Sequence, residues 1–272
     1  MNISGSEGLV AAGNIFMGMT ESPVLIKNYL PTMNRSEIFL VMVSGMGTIA
    51  GSVMGTYIGM LGGTDPASKV LFATHLLSAS VMAVPGSIVL AKMLCPQTEE
   101  ATDHVAVSGK EKENSNILDA ISSGTVTGVK LMTNIAAMLL VFISLVALAN
   151  YVTEDVIGRY TGLNDWIVQI SDGKAKGLTF QFILGVITAP FMWLIGVPGQ
   201  DIMLVGSLLG QKTILNEFVA YFQLQQWKDA GLFMYEKSIL MSTYILCGFA
   251  NISSIGICLL YTSPSPRDYA AS

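Results

Sequence analysis

Five long stretches without a single Asp, Glu, Lys or Arg constrain this chain more than any other feature. They are Ile38–Thr64, Val70–Ala91, Leu131–Thr153, Gly177–Gln200 and Ser238–Pro266, and the shortest runs for 22 residues. About 20 apolar residues cross a bilayer as a helix, so four or five of these segments qualify. Charged residues make up only 12% of the chain, against about 25% in soluble domains. A large soluble core raises apolar content but does not strip charge from a surface. The chain therefore reads as an all-α integral membrane protein with several spanning helices.

Other bulk features exclude more than they assign. Net charge is −5, with no basic block and no Lys/Arg patch interleaved with aromatics, so nucleic-acid binding has no support. Cys95, Cys247 and Cys258 lie in or at the ends of apolar segments without paired metal spacing, and they read as small packing residues. His75 and His104 are isolated. No nucleophile–base pair, metal cluster or phosphate loop is visible, so an enzyme is not expected, nor an organic cofactor. Met1–Gly13 has neither the basic start nor the long apolar core of a signal sequence. The chain opens as though inside a helix, and further spans upstream are expected.

Punctuation along the chain organises the segments. Gly45, Gly47, Gly51, Ser52, Gly55 and Gly59 crowd the first run; small residues permit close helix approach in membranes, and a break is expected near Gly47–Ser52. Pro85-Gly86 should kink Val70–Met93. A polar loop follows at 97–116, whose five acids and two lysines leave orientation open under the positive-inside rule. Ile117–Val129 is weakly amphipathic and suits an interfacial helix, followed by a clean span at Leu131–Val152. Tyr160 and Trp166 are candidate interfacial anchors. Phe180–Ile195 contains Pro190 and should stop at Gly196-Val197-Pro198-Gly199. Ser238–Leu260 is long enough to cross, although Gly248, Asn251, Ser253, Ser254 and Gly256 crowd its middle. The segment 261–272 is polar and Pro-interrupted, unlike everything before it, and reads as an atypical end, truncated or misread, with a native polar terminus as the alternative.

Two pieces are too short to span. Ile202–Gly210 and Phe218–Trp227 flank a polar turn at Lys212–Glu217, which reads as a re-entrant hairpin; such irregular backbone is tolerated at membrane depth only against protein or a watery cavity. Ser6–Gly18, Met19–Pro23 and Val24–Leu30 make a similar unit. Each hairpin carries a glutamate at its turn, Glu21 and Glu217, and each precedes a crossing segment with a small or polar centre, residues 47–52 and 249–254. A hairpin and a broken helix appearing twice point to an internal repeat with substrate at its interface. A carboxylate at membrane depth costs roughly 2.5–3.5 kcal/mol or more, which a cavity, partner or ligand must offset. Exposure to water is the other reading of Glu21, an ion pair with Lys212 that of Glu217, and an interhelical hydrogen bond that of Asn251.

At these residues the sequence resembles the concentrative nucleoside transporter family, in its C-terminal transport domain, over residues 1–260. The matching segments are AAGNIFMGMTESPVLIKNYLP (11–31), MGTIAGSVMGTYIG (46–59), GVPGQDIMLVGSLLGQKTILNEFVAY (196–221) and LCGFANISSIGI (246–257). The resemblance implies two re-entrant hairpins, two broken helices, a homotrimer, and sodium-coupled nucleoside symport across the plasma (inner) membrane. It implies that Met19, Thr20, Glu21 and Val53 face the nucleobase, with Met19 standing where the family has a glutamine; methionine donates no hydrogen bond, so base preference is open. It implies that Glu217, Asn251 and Ser254 hold the ribose beside Phe249. An ionised carboxylate is the best acceptor for a diol's two donors. A sodium ion is implied at the side chains of Asn14 and Thr48 and the carbonyls of Met17 and Ile49. The alternatives are proton-coupled symport with Glu21 or Glu217 as carrier, and a gate-type membrane protein without a transport cycle.

Overall fold

The computed structural model describes residues 3–19, 21–26, 29–99, 117–171, 177–252 and 254–255. Thr20, most of the polar loop, and the segment 261–272 lie outside the described residues. The chain divides into two compact units, Met1–His104 with Gln181–Ser272, and Val105–Phe180.

The first unit begins with α1 (Gly5–Gly13), opened by a reciprocal capping box between Ser4 and Glu7. An irregular turn leads to the four-residue α2 (Ser22–Leu25) and a 3-10 turn at Leu30–Thr32. This first hairpin is shorter than its apolar sequence suggests. Its first arm stops at Gly13, five residues before Gly18, so Asn14 to Met19 sit in irregular backbone.

A second capping box, Asn34 with Glu37, starts α3 (Arg35–Gly47). Helical geometry fails at Thr48, which is extended (φ −118°, ψ 170°), and resumes in α4 (Gly51–Gly62). The break thus falls where the glycine pattern put it. Asp65 caps α5 (Pro66–Leu94), accepting from Ala67 N at 3.3 Å and Ser68 N at 2.9 Å. The helix continues through Pro85. Residues 35–62 and 66–94 are each long and apolar enough to cross a bilayer.

Polarity in these helices runs inside out. Val70, Leu71, Met82, Leu90 and Met93 of α5 are exposed, whereas Ser44, Ser80, Ser242, Thr243 and Glu217 are buried. Lipid removes the penalty for an apolar exterior, and polar groups turn inward to find partners. Glu7, fully buried, pairs with Lys92 at 2.6 Å. The same ammonium reaches Ser36 Oγ at 3.1 Å, and Ser36 donates to the Cys95 carbonyl at 2.7 Å. These bonds tie α1, α3 and the end of α5 together.

The apolar α9 (Phe180–Ile195) continues through Pro190 and stops at Gly196, whose φ of 91° only glycine adopts freely. There Val197 N bonds back to Met192 O at 3.0 Å. After a 3-10 turn, α10 (Ile202–Ile214) and α11 (Glu217–Asp229) form the second hairpin, turning at Leu215-Asn216. Small residues let α9 and α10 approach closely: a Cβ on Gly206 would meet Thr188 Oγ1 at 2.7 Å. Asp201 accepts from Met234 N at 3.1 Å and Tyr235 N at 3.2 Å, ordering the start of α12 (Glu236–Leu246). Beyond it the backbone breaks at Gly248, with φ 94°.

The second unit contains α6 (Ile117–Asn150), a π-helical segment at Tyr151–Gly158, α7 (Arg159–Thr161) and α8 (Leu163–Ile170). The expected interfacial helix at Ile117–Val129 is not separate from the span after it. Together they form one 34-residue helix, because no proline interrupts them and Gly124 and Gly128 alone do not end a helix. At 1.5 Å per residue this is about 50 Å, longer than the roughly 30 Å hydrocarbon core. Tyr160 and Trp166 are both exposed, as interfacial anchors require. Asn164 stitches this unit, donating to Glu154 O at 3.0 Å and accepting from Leu178 N at 2.9 Å.

Candidate functional site

Glu217, Asn251 and Ser254 meet across the second hairpin and the second break. Asn216 caps α11, its side chain accepting from Val219 N at 2.9 Å, which places Glu217 in the first helical turn. Backbone N–H groups there favour negative charge. Glu217 is buried, and Asn251 Nδ2 donates to its Oε2 at 2.9 Å. Asn251 Oδ1 in turn accepts from Ser254 N at 2.8 Å, capping the backbone as helix resumes. One amide thus fixes the carboxylate and the restart of the broken helix together. The interhelical hydrogen bond that was one reading of Asn251 is present, with Glu217 as its partner. The ion pair that was the other reading of Glu217 does not form: Lys212 Nζ donates to Ile245 O at 3.0 Å and Cys247 O at 2.9 Å.

A cluster of buried apolar residues joins the two halves here. Ile49 and Tyr57 from the first half pack with Tyr221 and Leu246 from the second, and Val53 and Phe249 border the same cluster. Tyr57 and Tyr221 stack at 4.1 Å, and Tyr221 donates to Thr243 O at 2.9 Å. The two breaks touch, since a Cβ on Gly248 would stand 2.7 Å from Gly47 O.

On the first hairpin, Gly18 N donates to Glu21 Oε2 at 2.8 Å, so the carboxylate closes its own turn. Glu21 is exposed, in keeping with its water-facing reading. Met19 is half-buried against α3, where a Cβ on Gly45 would lie 3.2 Å from its own Cβ. Thr20 lies outside the described residues.

Of the candidate cation residues, Asn14 and Thr48 share a neighbour, Ser44, at the first break. Asn14 Nδ2 donates to Ser44 Oγ at 2.9 Å, and Thr48 Oγ1 to Ser44 O at 3.3 Å. Asn14, Ser44 and Thr48 are all buried, yet Asn14 Oδ1 has no hydrogen-bond partner. A buried amide oxygen without a donor is an unmet demand, and it suits a hard cation. Gly51 N bonds to Phe16 O at 2.9 Å, joining the residue before Met17 to the start of α4, two residues after Ile49. Sequence reading omitted Ser44; its place one turn before Thr48, on the same helix face, was the available signal. It also omitted Tyr57, one turn after Val53.

Paired hairpins docked on touching broken helices define a repeat-built membrane transporter. Residues 75–264 match the family described as Na+ dependent nucleoside transporter C-terminus, and the chain belongs to that family. It is a family of transporters, and the chain is a multi-pass protein of the plasma membrane. Among its relatives, an uncharacterized transporter of Haemophilus influenzae is 37% identical over 260 residues, covering 94% of this chain and 57% of its own length. Sodium/nucleoside cotransporter 2 of Rattus norvegicus is 38% identical over 273 residues, covering 95% of this chain and 38% of its own length. The structure of CNTnw in an inward-facing substrate-bound state superposes with a TM-score of 0.77 at 34% identity, over 96% of this chain and 56% of that one. The chain therefore spans little more than half of these proteins, or less.

Proposed function

We propose that residues 1–260 form the transport domain of a sodium-coupled nucleoside symporter, and that the whole protein works as a homotrimer. The observation that carries this reading is the Glu217–Asn251–Ser254 chain of hydrogen bonds. Glu217 uses one oxygen on Asn251 and keeps acceptor capacity on the other for a vicinal diol. Hydrogen bonds to a charged group contribute about 1.5–3 kcal/mol each, and a desolvated carboxylate held in one orientation gains most from them. Val53, half-buried beside the same cluster, supplies an apolar wall for a base, as Phe249 does for the sugar. Met19, Thr20 and Glu21 complete the base side in this reading, with Met19 contributing shape rather than a donor.

Sodium is assigned to Asn14 and Thr48 by side chain and Met17 and Ile49 by carbonyl. The unpartnered Asn14 Oδ1 favours it over a proton, which an amide oxygen does not carry. An ion there would join the first hairpin to the first broken helix and so order the base side before substrate arrives. CNTnw is known in inward-facing, intermediate and outward-facing states, and we infer a comparable cycle here.

Uptake of labelled uridine or adenosine into proteoliposomes tests the proposal. It should depend on an inward sodium gradient and disappear in Glu217→Gln protein that still reaches the membrane. Uptake independent of sodium and rising as external pH falls would select proton coupling. Absence of nucleoside binding would select a gate-type protein.

A further inference from the structure

Where the first half of the repeat has an unpartnered amide oxygen, the second half has a buried ammonium. α12 ends at Leu246, and a helix end leaves carbonyls without intrahelical donors and a partial negative charge. Lys212, only 5% exposed, crosses from the hairpin arm α10 to donate to two of these carbonyls, Ile245 O at 3.0 Å and Cys247 O at 2.9 Å. The first half places a polar side chain at the corresponding junction. Asn14, just past the end of the hairpin arm α1, donates to Ser44 Oγ near the end of α3, and Thr48 lies at the break.

Aligning Met46-Gly47 with Cys247-Gly248 puts Ile245 at the register of Ser44. Aligning Gly13-Asn14 with Gly210-Gln211 puts Lys212 one residue past the counterpart of Asn14. Each hairpin arm therefore sends a polar side chain to the end of its broken helix. One brings an oxygen that lacks a positive partner, and the other brings the positive charge itself.

We propose that the Lys212 ammonium is a tethered cation filling, in the second half of the repeat, the site that a mobile sodium fills in the first. The inference rests on the sodium assignment above. It gives Lys212 a role distinct from packing: its charge, and not the volume of its stem, holds the carbonyls of the break in register for Glu217 and Asn251. Shortening the side chain opens a carbonyl-lined site for a small monovalent cation.

Calorimetry of uridine binding at fixed sodium, on purified protein containing this chain, separates charge from volume. Lys212→Met keeps the stem without the charge, and Lys212→Ala removes both. Both should weaken binding by at least about tenfold, the loss of one charge-assisted contact. Millimolar n-propylammonium should restore binding in Lys212→Ala and leave Lys212→Met unchanged. In place of calorimetry for an unstable Lys212→Ala protein, n-propylammonium should raise its unfolding temperature and leave that of the wild type unmoved. Wild-type affinity in Lys212→Met would overturn the proposal, as would Lys212→Ala that no added cation restores or stabilises. Wild-type binding that ignores sodium would instead defeat the sodium assignment, and the n-propylammonium result would still report on Lys212.

Discussion

Gly47 and Gly248 meet backbone to backbone where the two broken helices lose their helical geometry. A Cβ on Gly248 would stand 2.7 Å from the Gly47 carbonyl oxygen and 2.8 Å from that of Met46, closer than a side-chain carbon can sit. Gly248 also holds a φ of 94°, which other residues adopt at a cost of about 1–3 kcal/mol. Gly248→Ala should therefore lower the unfolding temperature of the purified protein markedly and abolish nucleoside binding. Gly55→Ala, with open space around it, should do neither. A Gly248→Ala protein melting with the wild type would show that the breaks need not touch.

The Glu7–Lys92 pair joins the first hairpin to α5 at 2.6 Å in a buried setting. Removing one partner of such a pair costs roughly 3–5 kcal/mol, whereas replacing both with matched neutral groups is often tolerated. Glu7→Gln and Lys92→Met should each destabilise strongly, and the double variant should recover much of the loss. Thermal unfolding of the four proteins completes the cycle. Additive losses in the double variant would mean the pair is not coupled.

Asn14→Ala removes the unpartnered Oδ1 and the bond to Ser44 together. The sodium concentration for half-maximal uridine binding should rise by at least about tenfold, the loss of one strong polar contact. Binding at saturating sodium should fall less. Unchanged sodium dependence would remove Asn14 from the cation site.

Met19 packs on Gly45 and offers a base no donor. Met19→Gln should add a hydrogen bond worth about 0.5–1.5 kcal/mol and widen the affinity difference between uridine and adenosine. Competition binding measures the ratio, and an unaltered ratio would place Met19 away from the base.

What the sequence made legible follows its punctuation. The break at Thr48, the second hairpin's turn at Leu215-Asn216 and the stop at Gly196 are each dictated by small residues or by the shortness of an apolar run. That Glu217 and Asn251 lie together could be anticipated because a carboxylate and an amide are conspicuous among apolar neighbours, whereas Ser254 joins them through its backbone N–H, which leaves no mark in the sequence. The first hairpin's short arms were less visible, because Ile15, Phe16 and Met17 look helical while their backbone turns. The continuity of α6 was hidden for the opposite reason: a change from amphipathic to apolar composition marks a change of surroundings, not a helix end. For Lys212, charge complementarity offered Glu217 as a partner beside the site reading, and its hydrogen bonds go instead to the Ile245 and Cys247 carbonyls. Only the fold brings the carbonyls at the end of α12 to its ammonium, and backbone acceptors carry no sequence signature.

The central claim is that Glu217, held by Asn251, recognises a ribose diol. Calorimetry of uridine and 2′,3′-dideoxyuridine against wild-type and Glu217→Gln protein in saturating sodium tests it most directly. Wild type should bind uridine at least about tenfold more tightly than the dideoxy ligand, and Glu217→Gln should weaken uridine until the two are bound equally. Tight, unchanged uridine binding by Glu217→Gln, with the preference over the dideoxy ligand intact, would contradict the account.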